Sequence, residues 1–330
     1  MTKQERLRSA ITRQLVDRVP YAVWCHFPEV DRSTAGLAQA TLRFHQRYGS
    51  DFLKVTPNSG HAVEDWGCVE SDKVMPDGHR PCASHAVNAG SDWSKIKPLD
   101  ITASTYGQHL ETVVRVIMDK RTDAPVLPTV FSPLSLARKL SGDRLKQDLG
   151  ERPGAVVEAL EAITETLMRF VALCLDEEAG GIFYAIQAAS YRFHLEEEYA
   201  RFGEPYDRRI LEAAMGRGLV IVHAHGDDLM FDRLAALPGH AWNWDDRLAG
   251  PSLRDGKAKV KGAVIGGVNQ WATLRDGTPD EVRAEVGEAV DQTDGIGVIV
   301  GPGCVLPPGT PDQNVVALIK ALGGTVKLVL

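Results

Sequence analysis

Two histidines and one cysteine follow predicted strands of this chain at a spacing that suits metal binding. The apolar run Leu219–Val222 has the character of a buried strand and leads directly into His223 and His225. Alternate residues of a strand point to the same face, so the two imidazoles would project together. A second β-branched run, Val298–Val300, ends in a glycine turn that carries Cys304. Two imidazoles and a thiolate suit Zn²⁺, and three protein ligands would leave a fourth position open, as in catalytic zinc sites.

Other polar residues also lie at or beyond predicted strand ends. The candidates for substrate contact or catalysis are His26, Asn58, Gln187, Arg192 and Asp227; Thr56, Ser132, Asp245, Asn269 and Gln270 occupy similar places. His26 fits a histidine at the edge of the core equally well. Arg192 could hold a substrate carboxylate or phosphate, or pair with the acidic run Glu196–Glu198. Asp227 could orient a ligating imidazole, or cap the helix that follows, a position that Asp favours.

The composition is that of a globular protein and excludes several classes of function. The chain has 330 residues, of which 44% are hydrophobic and 25% are charged, enough for a sizeable core. A net charge of −7 without a basic run argues against nucleic-acid binding. The N-terminal residues Met1–Leu7 lack the apolar core expected of a signal peptide, and no apolar run approaches the roughly 18–20 residues that span a membrane. We therefore expect a cytoplasmic protein without a membrane partner.

The five cysteines are odd in number and irregularly spaced, which argues against a disulfide framework. We expect free thiols, with Cys304 as the metal ligand. The other four, which are Cys25, Cys68, Cys82 and Cys174, are expected to be inert.

Eight short apolar runs, each followed by helical spacing, predict an α/β fold of the (β/α)₈ TIM-barrel type. Their continuous apolar character suits strands that are buried on both faces. We expect one domain over residues 1–330, with a long irregular excursion at 57–98 after the second strand, which either is functional itself or covers a site. The expected strands are 19–25, 51–56, 124–131, 181–186, 219–222, 240–244, 263–268 and 298–301. The expected helices include about 5–15, 37–48, 103–120, two within 134–178, 195–217 and 228–237.

In such a barrel the polar residues beyond each strand converge at one mouth. A His-x-His pair alone is common by chance, so the metal prediction depends on this convergence with Cys304. No G-x-G-x-x-G turn and no P-loop are present, so the sequence does not support a nucleotide-binding fold. Thr278-Pro279-Asp280-Glu281 and Thr310-Pro311-Asp312-Gln313 each carry the capping-box pattern and predict two helix starts.

Three segments carry the pattern of a known superfamily. They are the start from Arg6 to Pro20, Val63–Gly67, and the tail from Gly266 to Pro311, which includes Gly277–Val282 and Leu306–Pro311. In these segments the chain resembles the uroporphyrinogen decarboxylase superfamily. That superfamily contains the decarboxylase of haem synthesis and zinc-dependent methyltransferases of the methylcobalamin:coenzyme M type. The resemblance implies a (β/α)₈ barrel and suggests a homodimer.

The decarboxylase branch of this superfamily fits poorly at four positions. It implies an Arg-rich loop after the first strand, whereas Cys25–Asp31 lacks one. It implies a catalytic Asp where this chain has Asn58, a Tyr that aligns with Lys139, and a His that aligns with Cys304. These departures argue against porphyrinogen decarboxylation.

The methyltransferase branch fits better, because its zinc site follows a His-x-Cys…Cys pattern. Here the corresponding residues would be His223, His225 and Cys304, with one thiolate replaced by imidazole. The resemblance therefore implies a zinc-dependent methyltransferase of demethylase type that transfers methyl to a thiol or a corrinoid. Cobalamin would be the methyl carrier, supplied free or by a separate corrinoid protein.

Two other hypotheses stay open for the same small-molecule site. One is a decarboxylase that acts on an acidic substrate without metal, and the other is a catalytically idle barrel that binds a small ligand. Metal content distinguishes the first hypothesis from the methyltransferase.

Overall fold

Seven parallel strands form one curled sheet at the centre of the protein. The computed structural model describes residues 1–327. The strand order in the sheet is β1-β4-β5-β6-β7-β8-β9. Strands that are adjacent in the sheet are therefore also consecutive along the chain, except that a hairpin is inserted between β1 and β4. A separate antiparallel pair, β2–β3, forms this hairpin. The strands are β1 Leu53–Val55, β2 Val69–Glu70, β3 Cys82–Ser84, β4 Val126–Phe131, β5 Gly181–Ile186, β6 Leu219–Ala224, β7 Ala241–Asn243, β8 Ala263–Val268 and β9 Val298–Pro302.

An extended segment, Pro20–Cys25, lies between the two edges of this sheet. On one side Val300 N donates to Pro20 O (2.8 Å) and Ala22 N donates to Val300 O (3.1 Å). On the other side Asp51 N donates to Tyr21 O (2.8 Å), just before β1. The segment therefore links β9 to β1 and gives the sheet a TIM-barrel-like form.

The first of the eight expected strands, 19–25, is thus a pair of isolated bridges rather than a strand. The reason is that side chains replace backbone partners on its β1 side. Tyr21 N donates to Asp51 Oδ2 (2.9 Å) and Val23 N donates to Ser50 Oγ (3.1 Å). Because these acceptors are side chains, no continuous backbone ladder forms there.

Helices pack around the sheet and alternate with its strands. The twelve helices are α1 Lys3–Ile11, α2 Thr34–Tyr48, α3 Thr105–Asp119, α4 Pro133–Ser141, α5 Arg144–Glu151, α6 Pro153–Asp176, α7 Glu196–Phe202, α8 Glu204–Met215, α9 Phe231–Ala235, α10 Leu253–Lys259, α11 Pro279–Thr293 and α12 Asp312–Ala321, as far as residues 1–327 show. Three helices occupy 133–176 where two were expected, and the helix expected at 195–217 is divided at Gly203.

The two capping-box predictions have different outcomes. Thr278 caps α11 as expected, since Glu281 N donates to its hydroxyl (3.3 Å) and Thr278 N donates to Glu281 Oε2 (2.7 Å). The helix start expected at Thr310 is found within one residue, because α12 begins at Asp312, but Thr310 does not cap it. The Thr310 hydroxyl donates instead to Pro307 O (2.7 Å).

Large apolar side chains fill the inside of the curled sheet. The ring centroid of Trp24 lies 6.0 Å from that of Phe52 and 5.3 Å from that of Phe183. Leu127, Ile221, Ile265 and Ile299 complete this cluster, to which every strand of the sheet from β4 to β9 contributes. The interior is therefore a packed core beneath the carboxyl ends of the strands, as in barrels of this type.

The stretch expected to be irregular at 57–98 is partly ordered. It contains the β2–β3 hairpin and short 3₁₀ helices at Glu64–Trp66 and Gly90–Lys95, with a further one at Ile101–Ala103. Trp93 anchors it, because its side chain is buried and its Nε1 donates to Asp148 Oδ2 (2.8 Å). The expectation of one irregular excursion is therefore corrected to a folded insertion. Among the described residues, no helix is both long and apolar enough to cross a membrane.

We expect the buried Asp51 carboxylate to be essential for joining the two edges of the sheet. It is fully buried and accepts hydrogen bonds from Arg6 Nη1 (2.8 Å), from Arg18 Nη1 (2.9 Å) and from the Tyr21 backbone. Removing it leaves Arg18 without a carboxylate partner among the described residues and leaves the buried Arg6 with Asp17 alone (2.7 Å). Asp51→Ala should lower the free energy of unfolding by about 3–5 kcal/mol, as measured by urea denaturation.

The matched control is Asp72→Ala, which removes an ion pair between Arg32 Nη1 and an Asp72 carboxylate whose side chain is 93% exposed (3.0 Å). Its effect should stay within about 1 kcal/mol. Equal losses in the two variants would contradict the role given to Asp51.

Candidate metal centre

The carboxyl ends of β6 and β9 bring His223, His225 and Cys304 together. Cys304 Sγ lies 3.8 Å from His223 Nε2 and 3.5 Å from His225 Nδ1. The three donor atoms all lie within 4.8 Å of one another. His223 is the last residue but one of β6, and His225 follows the strand, where its backbone N–H donates to Ile186 O of β5 (2.9 Å).

Asn243 of β7 orients the His223 ring. Its Nδ2 donates to Ile265 O of β8 (3.0 Å) and to Pro302 O of β9 (3.2 Å), so the other end of the amide is the acceptor Oδ1. That oxygen lies 2.6 Å from His223 Nδ1, which must therefore carry the proton. When the ring is neutral, Nε2, the nitrogen that faces Cys304, is therefore the one that can offer its lone pair to a metal ion.

A glycine turn places Cys304 beside the histidines. A Cβ on Gly303 would lie 2.5 Å from the Asp245 Cα, which is closer than a side chain could approach. Glycine is therefore needed for the chain to pass this close to the segment after β7. The apolar strand followed by this turn explains why the cysteine lies at the rim of the sheet.

The electrostatics of the group favour a thiolate. Burial opposes ionisation of Cys304, but the charge of His225 and hydrogen bonds with both imidazoles outweigh it and hold the pKa of Cys304 well below its usual range. Burial alone would lower the pKa of His225, yet the charge of Cys304 raises it above its usual value. The thiolate is the form of cysteine that binds metal.

These residues fit a divalent metal ion by their chemistry. Two nitrogen donors, one of them fixed in the required tautomer, and one sulfur donor converge on one point. This is the borderline-soft donor set that Zn²⁺ prefers, with three ligands rather than four.

The three residues line a pocket of about 400 Å³ at the rim of the sheet. Its walls come from the strand ends, from α4 and from the insertion between β1 and α3. Four cationic side chains line it, which are Lys54, Arg80, Arg138 and Lys139, against one carboxylate, Asp77. Arg80 is already paired with the buried Asp31 (2.9 Å), so three of the cations remain without a carboxylate partner among the described residues. Burial lowers the pKa of Lys54 to about 8, although Cys304 and Cys25 oppose this shift. The pocket therefore suits a small anionic ligand.

Two further predicted site residues, His26 and Gln187, line this pocket. Burial lowers the pKa of His26 to about 3, helped by the charge of Lys54, so its imidazole is neutral. Its buried Nδ1 has no hydrogen-bond partner among the described residues. A Cβ on Gly78 would lie 2.8 Å from the His26 Cβ, so the glycine lets the insertion pack against this wall. Gln187 is held by its backbone N–H, which donates to Ser135 Oγ (2.8 Å).

The other three predicted site residues lie elsewhere. Asn58 faces a neighbouring cavity, and its Oδ1 accepts from Gly60 N (3.0 Å) and His61 N (2.8 Å), a turn-stabilising role. Arg192 and Asp227 are exposed and pair with each other, Nη1 to Oδ2, at 2.9 Å. Arg192 therefore does not pair with Glu196–Glu198. Asp227 neither orients an imidazole nor caps the next helix, because α9 begins at Phe231 with Met230 at its N-cap.

Sequence reasoning missed Asn243 and Lys54 as site residues. Both lie within strands that were expected on account of their apolar neighbours. The signal that could have identified them is a polar residue inside an otherwise apolar run. In a buried strand, such a residue must either have hydrogen-bond partners or serve a function. Arg80 and Asp77 were missed because they come from the insertion, whose fold the sequence pattern did not predict.

Known proteins resemble this chain over nearly its whole length. The curated "Methylcobamide:CoM methyltransferase MtbA" of Methanosarcina mazei is 23% identical, and the alignment covers 97% of each chain. A solved structure described as a methyltransferase from Methanosarcina mazei superposes with a TM-score of 0.81 at 19% identity and covers 98% of both chains. A B12-independent methionine synthase from Shewanella sp. W3-18-1, in complex with selenomethionine, has a TM-score of 0.59 at 12% identity and covers 93% of this chain and 91% of its own.

These structural likenesses show a common fold. The family model described as "Uroporphyrinogen decarboxylase (URO-D)" matches residues 2–324, which confirms the resemblance inferred from the sequence motifs. The chain therefore belongs to the uroporphyrinogen decarboxylase family.

Proposed function

We propose that this protein is a zinc-dependent methyltransferase that transfers a methyl group from a corrinoid to a small acidic thiol. The observation that carries the proposal is the convergence of His223 Nε2, His225 Nδ1 and Cys304 Sγ at the wall of a cationic pocket. Its second support is the similarity, over 97% of both chains, to a protein named as a methylcobamide:CoM methyltransferase.

His223, His225 and Cys304 are the residues that would hold the ion. When bound, Zn²⁺ supplies Lewis acidity, which lowers the pKa of a coordinated thiol or water and so provides a nucleophile at neutral pH. Asn243 keeps the His223 lone pair directed at the site, a supporting contact of the kind that metal-binding histidines require.

The charge of the donor set affects the choice of acceptor. One thiolate and two neutral imidazoles leave a net single positive charge when they hold a divalent ion, whereas two thiolates would leave none. A more positive site attracts an anionic thiol more strongly and makes it a less reactive nucleophile. His225 should therefore affect which thiol serves as the methyl acceptor.

The cationic side chains hold the acidic end of the substrate. Lys54 Nζ donates to Thr56 Oγ1 (3.0 Å) and lies 4.8 Å from the Phe183 ring centroid, so this long side chain is fixed in the pocket. Its buried charge has no carboxylate partner among the described residues, as the cation contacts only a hydroxyl and a ring. A substrate carboxylate or sulfonate would supply the missing charge.

The size of the pocket indicates where the methyl donor approaches. A volume of about 400 Å³ is at the small end of ligand pockets and suits a short thiol. A corrinoid macrocycle is too large to be enclosed with the thiol. We therefore expect the donor, free or carried by a corrinoid protein, to approach from the open side of the pocket.

A second function uses the same pocket. The three cations Lys54, Arg138 and Lys139 would equally hold a carboxylate substrate for decarboxylation. That reaction would not depend on Cys304, so the metal requirement separates the two functions.

The first prediction concerns Asn243. Asn243→Ala should weaken zinc affinity about 10–100-fold, because the His223 ring loses the acceptor that fixes its tautomer. Affinity is measured by competition with a chromophoric chelator. Asn243→Asp keeps an acceptor and should retain most of the affinity.

The matched control is Asn314→Ala, which removes another fully buried amide whose Nδ2 donates to two carbonyl groups, Leu274 O (3.0 Å) and Gly277 O (2.8 Å). It should leave zinc affinity unchanged. If Asn243→Ala binds zinc as tightly as the unaltered chain, Asn243 does not support the site.

The second prediction concerns the reaction. Zinc-loaded protein should demethylate free methylcobalamin in the presence of coenzyme M, followed by the absorbance change of the corrinoid. His225→Ala and Cys304→Ala should lower kcat/KM by about 100-fold or more, because each removes a ligand. Cys174→Ala, a change in a buried cysteine of α6, is the control and should keep activity. Turnover that survives both ligand variants and chelation would contradict the proposal.

The third prediction concerns Lys54. Lys54→Met keeps much of the side-chain length and removes the charge. It should raise KM for coenzyme M about 10–100-fold, the effect of losing one hydrogen bond to a charged group. KM for the neutral 2-mercaptoethanol should change little. An equal effect on both thiols would show that Lys54 does not recognise the anionic group.

A further inference from the structure

A second group of metal-binding side chains lies in the insertion between β1 and α3. It consists of Cys68, Cys82 and His85, whose donor atoms all lie within 4.8 Å of one another. Cys68 is buried, and Cys82 and His85 are half-buried and line the wall of the pocket. Sequence analysis treated both cysteines as inert, because the hairpin that joins them was not expected.

The register of the β2–β3 hairpin explains why these side chains meet. Val69 pairs with Ser84, which places Cys68 opposite His85 on one face. Glu70 then pairs with Cys82 instead of Ala83, because the register shifts by one residue. Side chains alternate between faces, so this bulge turns Cys82 to the face that carries Cys68 and His85. Without the bulge, Cys82 would point the opposite way.

A fourth donor comes from the last turn of α4. Lys139 O lies 3.7 Å from Cys68 Sγ, 3.7 Å from Cys82 Sγ and 3.0 Å from His85 Nδ1. Carbonyl groups in the last turn of a helix lack helical partners and carry partial negative charge, which favours a cation. Lys139 O therefore lies within 3.7 Å of a donor atom of each of the three side chains. Zinc bond lengths of about 2.0–2.3 Å correspond to tetrahedral edges of roughly 3.3–3.8 Å, so small side-chain movements would suffice.

Capping of the helix alone does not account for this group. A carbonyl oxygen has two lone pairs, whereas three hydrogen-bond donors converge on Lys139 O. A thiol is also a weak donor, so two thiols are a poor choice for capping. The turn after α4 makes room for the imidazole as well. Gly142 has a φ of +58°, and a Cβ there would lie 2.7 Å from His85 Nε2.

We propose that Cys68, Cys82 and His85, with the Lys139 carbonyl oxygen, form a second binding site for a thiophilic divalent cation, of which Zn²⁺ is the best match. Two thiolates balance its charge, and four protein donors leave no open position, which is the pattern of structural zinc. The ion ties the β2–β3 hairpin to the end of α4. The hairpin places Arg80 and Cys82 in the lining of the pocket. The second site therefore fixes the position of this wall of the pocket. This role does not depend on the proposed methyl transfer.

The test is the zinc stoichiometry of the full chain, first stripped of metal and then titrated with Zn²⁺ alone. The unaltered chain should bind two ions. Cys68→Ser and Cys82→Ser should each bind one, Cys304→Ala should also bind one, and the control Cys174→Ala should bind two. Cobalt(II) supplies a second readout, because the charge-transfer band from thiolate to cobalt grows with the number of thiolates. The ion retained by Cys304→Ala should show about twice the band intensity of the ion retained by Cys82→Ser.

The unaltered chain also gives a test that does not depend on how the variants fold. Zinc should protect Cys68 and Cys82 from alkylation by iodoacetamide, as read by peptide mass spectrometry. Unprotected Cys68 and Cys82 at saturating zinc would overturn the proposal, as would an unchanged stoichiometry in both serine variants. A single ion that is lost in Cys304→Ala and kept in Cys82→Ser would overturn the second site and leave the proposed function standing. The reverse pattern would keep the second site and remove the metal centre of the proposed function.

Discussion

The hydrogen bonds of Asn243 are the interaction on which the geometry of the candidate metal centre depends. One buried amide contacts three neighbouring parts of the sheet: His223 of β6, Ile265 of β8 and Pro302 of β9. β6 and β9 are not adjacent, since β7 and β8 lie between them. Their ends meet because the sheet is curled and because the Asn243 amide fills the space inside the curl. The same bonds set the tautomer of His223 and the position of the strand that leads to Cys304.

Much of the framework could be predicted from the sequence, because it depends on local patterns. The strands 181–186 and 263–268 have the expected bounds, since each is a continuous apolar run between breaks. His223, His225 and Cys304 meet for a reason that is also visible in the sequence, namely that parallel strands end at the same rim. The helix start at Thr278 follows from its cap, which is a local interaction.

Interactions between distant residues account for what could not be predicted. The segment at 19–25 has the composition of a strand, but the side chains of Ser50 and Asp51 replace part of its ladder. Arg192 and Asp227 are 35 residues apart in the sequence, and only the fold shows that they pair with each other. Asn243 lies inside an apolar run, where its amide has partners on three other strands. No sequence pattern encodes such partners.

The folded insertion gives this barrel its own pocket. It brings Arg80, Asp77 and His85 to the rim beside Lys54 and Lys139, so one wall of the pocket comes from outside the sheet. Strand ends therefore supply the candidate metal donors. The pocket cations that have no carboxylate partner among the described residues, Lys54, Arg138 and Lys139, come from β1 and α4, whereas Arg80 of the insertion is paired with Asp31 (2.9 Å).

The most direct test of the central claim is anomalous X-ray diffraction from zinc-soaked crystals, with data collected on both sides of the zinc absorption edge. The account predicts a peak that appears only above the edge, at about 2.0–2.3 Å from His223 Nε2, His225 Nδ1 and Cys304 Sγ. The absence of a peak among these three atoms at saturating zinc, in crystals that diffract well enough to locate the methionine sulfur atoms, would contradict it.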